Sequence, residues 1–405
     1  MRRSSNSGRP RVALVVHDID SQRHGGLERI FTELVRLGSA EVDFTVVSNR
    51  LTPDLRELAR WVRVPAIRRP FALKLVIFFF VGGVRLQRQE YDLVHTVGAI
   101  VPNRADLSSV QYCHAGYIHR IGAWAPRTGS RLRRLNAAVG NLVALAAERW
   151  CYRPGRTRLL AAASHSTRYE LEQHYPLVPA TTTPNGVDLD RFTPDLRVRR
   201  EMREREGLGD DDLVALFVGG DWARKGLDQA VRGLAVAQRA VERRLTLWVV
   251  GKGDERRLRR LAASCGVDGQ VRFFGFRADV EPFYQAADLF VFPTLYEAFP
   301  LVSLEAAACG LPIVAPAVSG IDQLVGNDEG GLLVDRSPEA IGAAIASLAS
   351  DAALRVRLGE AARQRASQYS WDRSVASVVE TYRRLLGERR ADRELAVVPQ
   401  GEGSG

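Results

Sequence analysis

The sequence predicts an α/β fold built from two doubly wound parallel sheets. Short apolar runs of strand length alternate with longer segments of helical periodicity along the whole chain, a pattern typical of parallel strands joined by crossover helices. Of the 405 residues, 46% are hydrophobic and 26% are charged. This composition supplies enough apolar material for two domains of roughly 200 residues each. We therefore predict two Rossmann-like domains that face each other across a cleft.

The predicted strands form two series, separated by the turn sequence Pro184-Asn185-Gly186. The first series is residues 12–16, 44–47, 93–95, 109–113 and 159–163, and the second is residues 214–218, 245–250, 271–274, 289–292 and 313–315. Helices are predicted between them, most clearly at 227–240 and 301–308. In doubly wound sheets, ligands bind at the carboxyl ends of the strands. Functional residues are therefore expected where these runs end.

The positive charge is confined to the first part of the chain. Residues 1–180 hold 27 basic and 14 acidic side chains, a net charge of +13, whereas residues 181–405 hold 30 and 33, a net charge of −3. A basic surface can attract nucleic acid, an anionic membrane or phosphorylated substrates, or it can simply aid solubility. The chain carries no finger, RNP or helix-turn-helix signature, so nucleic acid is not an expected partner.

Two features predict a cytoplasmic protein. The four cysteines are widely spaced and form no CxxC pair, which is typical of a reducing compartment, and no export signal precedes the first apolar run. The longest apolar stretch, residues 71–84, is too short to span a membrane. Flanked by Arg68, Arg69, Arg85 and Arg88, it could lie in the interface of the inner membrane face, or it could be a buried core helix.

Glycines and acids follow the first strand. Gly25 and Gly26 precede a helical segment, where free N–H groups could bind a phosphate, although a plain turn is the better interpretation of the pair taken alone. Asp18 and Asp20 have the spacing of a metal-binding DxD. We interpret them as polar loop residues, and we expect no metal and no bound cofactor.

Two later segments carry stronger signals. A strand ending at Gly219-Gly220 leads to Arg224 and Lys225, an adjacent pair of cations that could bind a diphosphate or could be solvated. Glu297 and Glu305 stand eight positions apart around the start of the helix predicted at 301–308. We expect Glu297 in a loop and Glu305 about one turn inside the helix, so that each binds a different part of an extended ligand.

In the order and spacing of these motifs, the chain resembles the family 4 glycosyltransferases of the GT-B fold. The resemblance covers nearly the whole chain. It rests on Gly25-Gly26-Leu27-Glu28-Arg29, Pro184-Asn185-Gly186-Val187-Asp188, Arg224-Lys225-Gly226, the spacing from Glu297 to Glu305, Gly310-Leu311-Pro312, Ser319-Gly320 and Gly331-Leu332-Leu333-Val334. It implies an acceptor-binding domain over residues 9–188, completed by a helix over 372–388 that crosses back, and a donor-binding domain over 189–371. Residues 391–405 are expected to form a disordered tail.

The resemblance also implies roles for individual residues. Arg224 and Lys225 would hold the diphosphate of the donor and, with His114 and Glu297, would form the catalytic group. Donor-binding positions implied in the same way are Gly25, Gly26, Phe276, Arg277, Glu297, Phe299, Leu301, Val302, Glu305, Ser319 and Gly320. Two positions depart from the family pattern: Gly220 stands where many relatives have an arginine, and Pro300 replaces a frequent glycine.

The resemblance implies a retaining glycosyltransferase. It would move a hexosyl group from a UDP-, GDP- or TDP-sugar to a hydroxyl of a glycan, lipid-linked or small-molecule acceptor. The segment 224–228 is similar to lipopolysaccharide-core glucosyltransferases, which favours a hexosyl donor and cell-surface glycan synthesis. Two alternatives stay open at this point: a GT-B sugar-nucleotide epimerase, and a non-catalytic sugar-nucleotide-binding subunit of a glycan-assembly complex.

Overall fold

The computed structural model describes residues 8–20, 25–65, 67, 71–122, 131–209, 211–327 and 329–397. The chain divides into two compact units. Unit 1 contains residues 1–162, 170–183 and 374–405, and unit 2 contains residues 163–169 and 184–373. The predicted boundary between residues 188 and 189 therefore lies inside unit 2.

Unit 1 is built on a seven-stranded parallel sheet. Its strands are β1 (Arg11–Val15), β3 (Asp43–Ser48), β5 (Arg60–Arg63), β6 (Leu93–Val97), β7 (Ala105–Val110), β8 (Thr157–Ala162) and β9 (Ala180–Thr182), and the short β2 (Asp18–Ile19) and β4 (Arg50–Leu51) pair separately. The strand order is β5-β3-β1-β6-β7-β8-β9. The order reverses direction between β1 and β6, which is the switch point where ligands bind in such sheets.

Helices cover the unit 1 sheet. They are α1 (Gly26–Gly38), α2 (Phe71–Gln87), α3 (His114–Ile121), α4 (Arg131–Cys151), α5 (His165–His174), which spans the division between the units, and the last helix of the chain, α15 (Trp371–Val397). Val375, Val379 and Tyr382 of α15 are buried in one apolar cluster with Val12 and Val46 of the sheet. The C-terminal helix thus completes the first unit.

Unit 2 has a six-stranded parallel sheet in the order β12-β11-β10-β13-β14-β15. Its elements are α6 (Leu196–Arg205), β10 (Leu213–Val218), α7 (Trp222–Lys225), α8 (Leu227–Ala240), β11 (Leu245–Val250), α9 (Glu255–Ser264), β12 (Val271–Gly275), α10 (Glu281–Ala286), β13 (Leu289–Val291), α11 (Leu301–Ala308), β14 (Ile313–Ala315), α12 (Ile321–Val325), β15 (Gly331–Leu333), α13 (Pro338–Ser350) and α14 (Ala352–Ala366). The central strands β10 and β11 are buried along their full length. This burial explains why their sequences are apolar except for Thr246.

The predicted α/β fold with two parallel sheets is confirmed, and α8 and α11 have the predicted bounds. Two details of the prediction were wrong. The strand predicted at 109–113 is β7, which starts earlier and ends at Val110. The tail predicted from residue 391 is helical as far as Val397, and residues 398–405 lie outside the described part of the chain.

Candidate active site

The strongest candidate site lies at the switch point of the unit 2 sheet. Strands β10 and β13 are neighbours there, and the chain leaves them in opposite directions along the sheet. The loop after β10 leads to Arg224 and Lys225, and the loop after β13 leads to Glu297. The backbone N–H of Leu295 donates to the carbonyl of Arg224 at 2.9 Å, and this hydrogen bond joins the two loops.

Arg224 is held by protein groups. Its Nε donates to Oδ2 of Asp221 at 3.0 Å, and its Nη1 donates to the carbonyl of Tyr296 at 2.6 Å and to Oε1 of Glu297 at 2.9 Å. Only 24% of the Arg224 side chain is exposed. The alternative of a solvated arginine is therefore wrong, and Arg224 acts on the site at least partly by fixing Glu297.

Lys225 has a different environment. Its Nζ lies 5.0 Å from the centre of the Phe292 ring, and a Cβ built at Gly219 would be 2.6 Å from that nitrogen, so the ammonium lies against the backbone at the end of β10. The Lys225 ammonium has no hydrogen bond or ion pair within the described residues. Burial lowers the pKa of Lys225, and the negative charge of Glu297 partly opposes that shift. A partly buried cation without a bonded acceptor is suited to an anionic ligand.

Glu297 is fixed through one carboxylate oxygen. Its Oε1 accepts from Arg224 and from Oγ1 of Thr294 at 3.0 Å. No donor to the other oxygen, Oε2, is found among the described residues, and the side chain is 14% exposed. Oε2 can therefore accept a hydrogen bond from a ligand hydroxyl while Oε1 keeps the side chain in place.

The segment that follows Glu297 packs closely against the loop after β14. Gly320 has φ +82°, and a Cβ there would lie 2.6 Å from Cα of Phe299, so glycine is required for this approach. The carbonyl of Phe299 accepts from Nδ2 of Asn185 at 2.9 Å. Ser319, next to Gly320, is buried. The structure thus brings Phe299, Ser319 and Gly320 together beside Glu297.

Helix α11 carries Glu305 into the interior of unit 2. Its side chain is buried, and Oε2 accepts from the hydroxyl of Tyr284 at 2.8 Å. Leu301 and Val302 form the first turn of α11 after Pro300, and no side chain caps this turn. The first-turn N–H groups can therefore serve an anion, although Pro300 itself supplies no donor.

Phe276 and Arg277 follow β12 and are exposed. The ammonium of Lys252, which follows the neighbouring β11, lies 5.2 Å from the centre of the Phe276 ring. Lys252 was not among the predicted site residues. The signal that could have identified it is its position two residues after the end of a buried strand, at the same edge of the sheet.

The predicted residues of the first half lie in unit 1, where Gly25 is the residue before α1 and Gly26 is its first residue. A Cβ at Gly25 would be 2.0 Å from Oε2 of Glu28. The Glu28 carboxylate therefore lies at the helix start that was predicted to receive a phosphate. An acid near a helix N-terminus is favourable, and it competes there with an anionic ligand.

His114 begins α3 and is oriented by Glu148, a residue that the sequence analysis missed. Oε1 of Glu148 lies 2.7 Å from Nδ1 of His114 and accepts from its backbone N–H at 2.8 Å. Oε2 accepts from the N–H of Ala115 at 3.2 Å and from the hydroxyl of Tyr175 at 2.8 Å. A carboxylate accepting at Nδ1 fixes the ring and leaves Nε2 for other partners. Glu148 is the only acid in α4 and follows an apolar run, which was an available signal.

The DxD-like residues of unit 1 have cationic partners. Oδ2 of Asp18 lies 3.0 Å from Nζ of Lys74, and Oδ2 of Asp20 lies 3.5 Å from Nη1 of Arg50. The described residues contain no group of three or more His, Cys, Asp or Glu side chains arranged to hold a metal ion. That the protein needs no metal stays a prediction.

Helix α2 is buried on one face and exposed on the other, so it is not a fully buried core helix, and its contact with a membrane stays a prediction. Phe78 and Leu86 are buried, whereas Leu73, Phe80 and Val84 are exposed. None of the helices described is long and apolar enough to cross a membrane. Arg68 and Arg69 lie outside the described residues.

Comparison with known families agrees with the motifs. The family model "Glycosyltransferase Family 4" matches residues 24–191, and "Glycosyl transferases group 1" matches residues 198–365. Two Rossmann-like units with these matches define a GT-B-type protein. The chain belongs to glycosyltransferase family 4.

Relatives named D-inositol 3-phosphate glycosyltransferase match in sequence. That of Kineococcus radiotolerans is 32% identical over 404 residues, covering 89% of this chain and 90% of its own. That of Geodermatophilus obscurus is 38% identical over 255 residues, 59% of this chain, and the match spans only 55% of the relative. The names of these relatives do not favour the epimerase or the non-catalytic subunit.

Solved structures share the fold at low identity. WaaG, a glycosyltransferase involved in lipopolysaccharide biosynthesis, has a TM-score of 0.76 at 23% identity and covers 91% of this chain and 98% of its own. HepE of Anabaena in complex with UDP-glucose has a TM-score of 0.67 at 18% identity and covers 92% of this chain and 100% of its own. These likenesses confirm the predicted fold class.

Proposed function

We propose that this chain is a retaining glycosyltransferase that moves a hexosyl group from a nucleotide diphosphate sugar to an acceptor hydroxyl. The proposal rests on the environment of Lys225, whose ammonium is partly buried at the switch point of unit 2. Within the described residues, no carboxylate forms a hydrogen bond or ion pair with this ammonium. A diphosphate supplies the missing negative charge, and lysine binds phosphate as a point charge.

The neighbouring groups suit the rest of such a donor. Oε2 of Glu297 would accept from a sugar hydroxyl, Glu305 would accept from the ribose, and the first turn of α11 would donate to phosphate oxygens. The backbone of Phe276 and Arg277 would line the base. Arg224 would keep Glu297 in position and add positive charge near the leaving group.

In the proposed reaction, the bond between the anomeric carbon and the diphosphate oxygen breaks, and the acceptor oxygen forms a bond to the same carbon on the same face. The departing diphosphate takes the proton of the acceptor hydroxyl. Lys225 and Arg224 stabilise the developing negative charge, so we propose that the reaction needs no metal ion. We expect turnover to persist in the presence of a chelator.

UDP-hexoses are the first donors to test. HepE, which shares the fold, is described in complex with UDP-glucose, and WaaG as acting in lipopolysaccharide biosynthesis. We extend a hexosyl donor to this chain as a proposal, with GDP- and TDP-sugars as the comparison. A product in a cell-surface glycan or glycolipid is part of the same proposal.

We propose that unit 1 binds the acceptor and works on the cytoplasmic face of an anionic membrane. Leu132, Leu135, Val139 and Leu142 of α4 are exposed and recur every three or four residues, so they lie on one helix face. Helix α4 packs on α2, whose exposed apolar residues are described above. Exposed arginines, such as Arg85 in α2 and Arg134 in α4, lie beside the exposed apolar residues of both helices. An apolar stripe between arginines suits anionic head groups.

Vesicle sedimentation at low salt tests the membrane proposal. Vesicles of phosphatidylglycerol and phosphatidylcholine should retain the protein, and added salt or the double variant Leu132→Ser, Leu135→Ser should release it. Equal binding to vesicles of phosphatidylcholine alone would show that the arginines contribute nothing, and no binding to either would refute the docking surface.

Isothermal titration with UDP, GDP and TDP and their hexose conjugates tests the donor site. For the preferred nucleotide, Lys225→Ala should weaken binding by about 10- to 100-fold, because a charged hydrogen bond contributes roughly 1.5–3 kcal/mol. Glu297→Gln should leave UDP binding nearly unchanged and reduce transfer, since Glu297 is assigned to the sugar. Nuclear magnetic resonance of the product reports the anomeric configuration.

Matched controls lie on the surface of unit 2. Arg239 and Glu255 are exposed or partly exposed, so Arg239→Ala and Glu255→Gln should behave as the parent protein does. Wild-type affinity and transfer in both Lys225→Ala and Glu297→Gln would refute the assignment of this site. Inversion at the anomeric carbon would refute the retaining mechanism alone.

A further inference from the structure

A cavity of about 560 Å³ opens in unit 1 beside His114. This volume lies in the range of roughly 300–1,000 Å³ that is typical of small-molecule sites. It is formed between α2 and α4 and the strand ends β6 and β7. All of its lining residues belong to unit 1.

The wall of this cavity is mostly apolar. Val76, Phe79 and Phe80 line it from α2, Ile100 from the loop after β6, and Val143 and Trp150 from α4. Lysine and arginine are absent from the residues that line it in the described part of the chain. The wall therefore offers no cation to a phosphate and few partners to a polyhydroxylated ring, whose burial there would leave hydrogen bonds unmade.

The polar side chains in the wall are few and include two histidines. His114 is held by the buried Glu148, as described above. Nδ1 of His17 is buried and has no hydrogen-bond partner within the described residues. Burial and the nearby Lys74 lower the pKa of His17 to about 4, so its ring is neutral near pH 7. A neutral imidazole can donate a hydrogen bond to a hydroxyl through one nitrogen or accept one through the other. The cavity thus combines an apolar wall with a small number of groups suited to a single alcohol.

We propose that this cavity binds an acceptor whose reacting hydroxyl is carried on a long apolar group, such as an alkyl or isoprenyl chain. The inference rests on the proposed function, because it names the acceptor class of that same transfer. The proposed acceptor differs from the one that the names of the relatives indicate, because D-inositol 3-phosphate is small, polyhydroxylated and anionic. The apolar group contacts α2 and α4, and the hydroxyl lies toward His114.

Direct binding of unbranched primary alcohols tests the cavity without any donor. Isothermal titration of hexanol, octanol and decanol should show a dissociation constant that falls about three- to fourfold for each added methylene, because each buried methylene contributes a constant increment. D-inositol 3-phosphate is the polar comparison and should not bind. Affinity that is independent of chain length, or saturable binding of D-inositol 3-phosphate but not of the alcohols, would overturn the proposal.

Three variants locate the binding. Ala144→Trp places a large ring in the cavity from α4 and should weaken decanol binding at least about tenfold. Arg149→Trp, at an exposed position of the same helix outside the lining, should bind within about twofold of the parent protein. Phe80 is 62% exposed, so Phe80→Ser should fold normally and weaken decanol severalfold by removing apolar surface. Unchanged decanol binding in both cavity variants would refute the location.

Separate readouts keep this proposal distinct from the proposed function. The shift of the unfolding temperature by UDP should be the same in all three variants, because the donor residues lie in unit 2. If UDP-hexoses neither bind nor react while alcohols bind with the chain-length dependence, the transferase proposal fails and the apolar site stands. If UDP binds and alcohols do not, the transferase proposal stands and the apolar acceptor is refuted. Formation of decyl hexoside from decanol and the donor, detected by mass spectrometry, would establish both.

Discussion

Replacing Glu148 by glutamine should lower the free energy of unfolding of unit 1, because this buried carboxylate accepts four hydrogen bonds. Two come from the N–H groups of His114 and Ala115 at the start of α3, one involves Nδ1 of His114, and one comes from Tyr175. Hydrogen bonds to a charged group contribute about 1.5–3 kcal/mol each and neutral ones about 0.5–1.5 kcal/mol. A glutamine has one acceptor oxygen, so its NH₂ group would face the N–H of Ala115.

The expected loss in the free energy of unfolding is about 2–4 kcal/mol for Glu148→Gln. Roughly 1 kcal/mol is lost at each of three weakened bonds, with a further loss at Ala115, and the lower cost of burying a neutral amide offsets part of it. Urea unfolding measures the change, and hydrogen exchange of residues 113–121 localises it to α3. Glu90→Gln, at an exposed position of the same unit, is the control. A change below about 0.5 kcal/mol would refute the importance we give to this carboxylate.

Two further predictions concern unit 1 in acid and the close approach at Gly320. Burial lowers the pKa of His95 to about 3 and, together with Lys74, that of His17 to about 4, so the unfolded chain takes up both protons first as the pH falls below about 6.5. Unit 1 should therefore lose about 2 kcal/mol for each histidine between pH 7 and pH 5, and urea midpoints that do not change over this range would contradict these shifts. Gly320→Ala should cost about 1–3 kcal/mol and weaken UDP-hexose binding, because its Cβ would meet Phe299 and its φ is +82°. Gly387→Ala, in the open face of α15 with nothing within 4 Å of the added Cβ, should not destabilise the protein, and equal melting temperatures for the two variants would refute the steric argument.

The sequence allowed the central strands and the edge strand β12 to be predicted, but not the edge strands β5, β9 and β15. β10 and β11 are buried on both faces and are apolar runs interrupted only by Thr246, so their type and place follow from composition alone. The edge strand β5 is Arg-Trp-Val-Arg with both ends exposed, and the edge strands β9 and β15 have only three residues each. Such strands form because a neighbouring strand offers hydrogen bonds, and that cause is not visible in their own residues.

The same distinction holds for the site in each unit. The motifs around Lys225 and Glu297 lie at strand ends, and the rule that ligands bind there makes them predictable. Glu148 is 34 positions from His114 and lies near the end of a 21-residue helix. Only the packing of α4 beside α3 brings its carboxylate to the histidine. Long-range pairing of this kind depends on the tertiary fold, which a single sequence does not reveal.

Arg224 and Lys225 show how adjacent residues of like charge acquire different tasks. Successive residues of a helix point about 100° apart, so in the short α7 one of the two side chains can face the β13 loop while the other lies against the β10 strand end. Arg224 has three protein acceptors, whereas Lys225 has an aromatic ring and the Gly219 backbone beside it. The resemblance implied that both cations hold the diphosphate. Under the proposed function Lys225 would be the direct ligand of the diphosphate, and Arg224, which donates to Glu297, would hold that carboxylate in place.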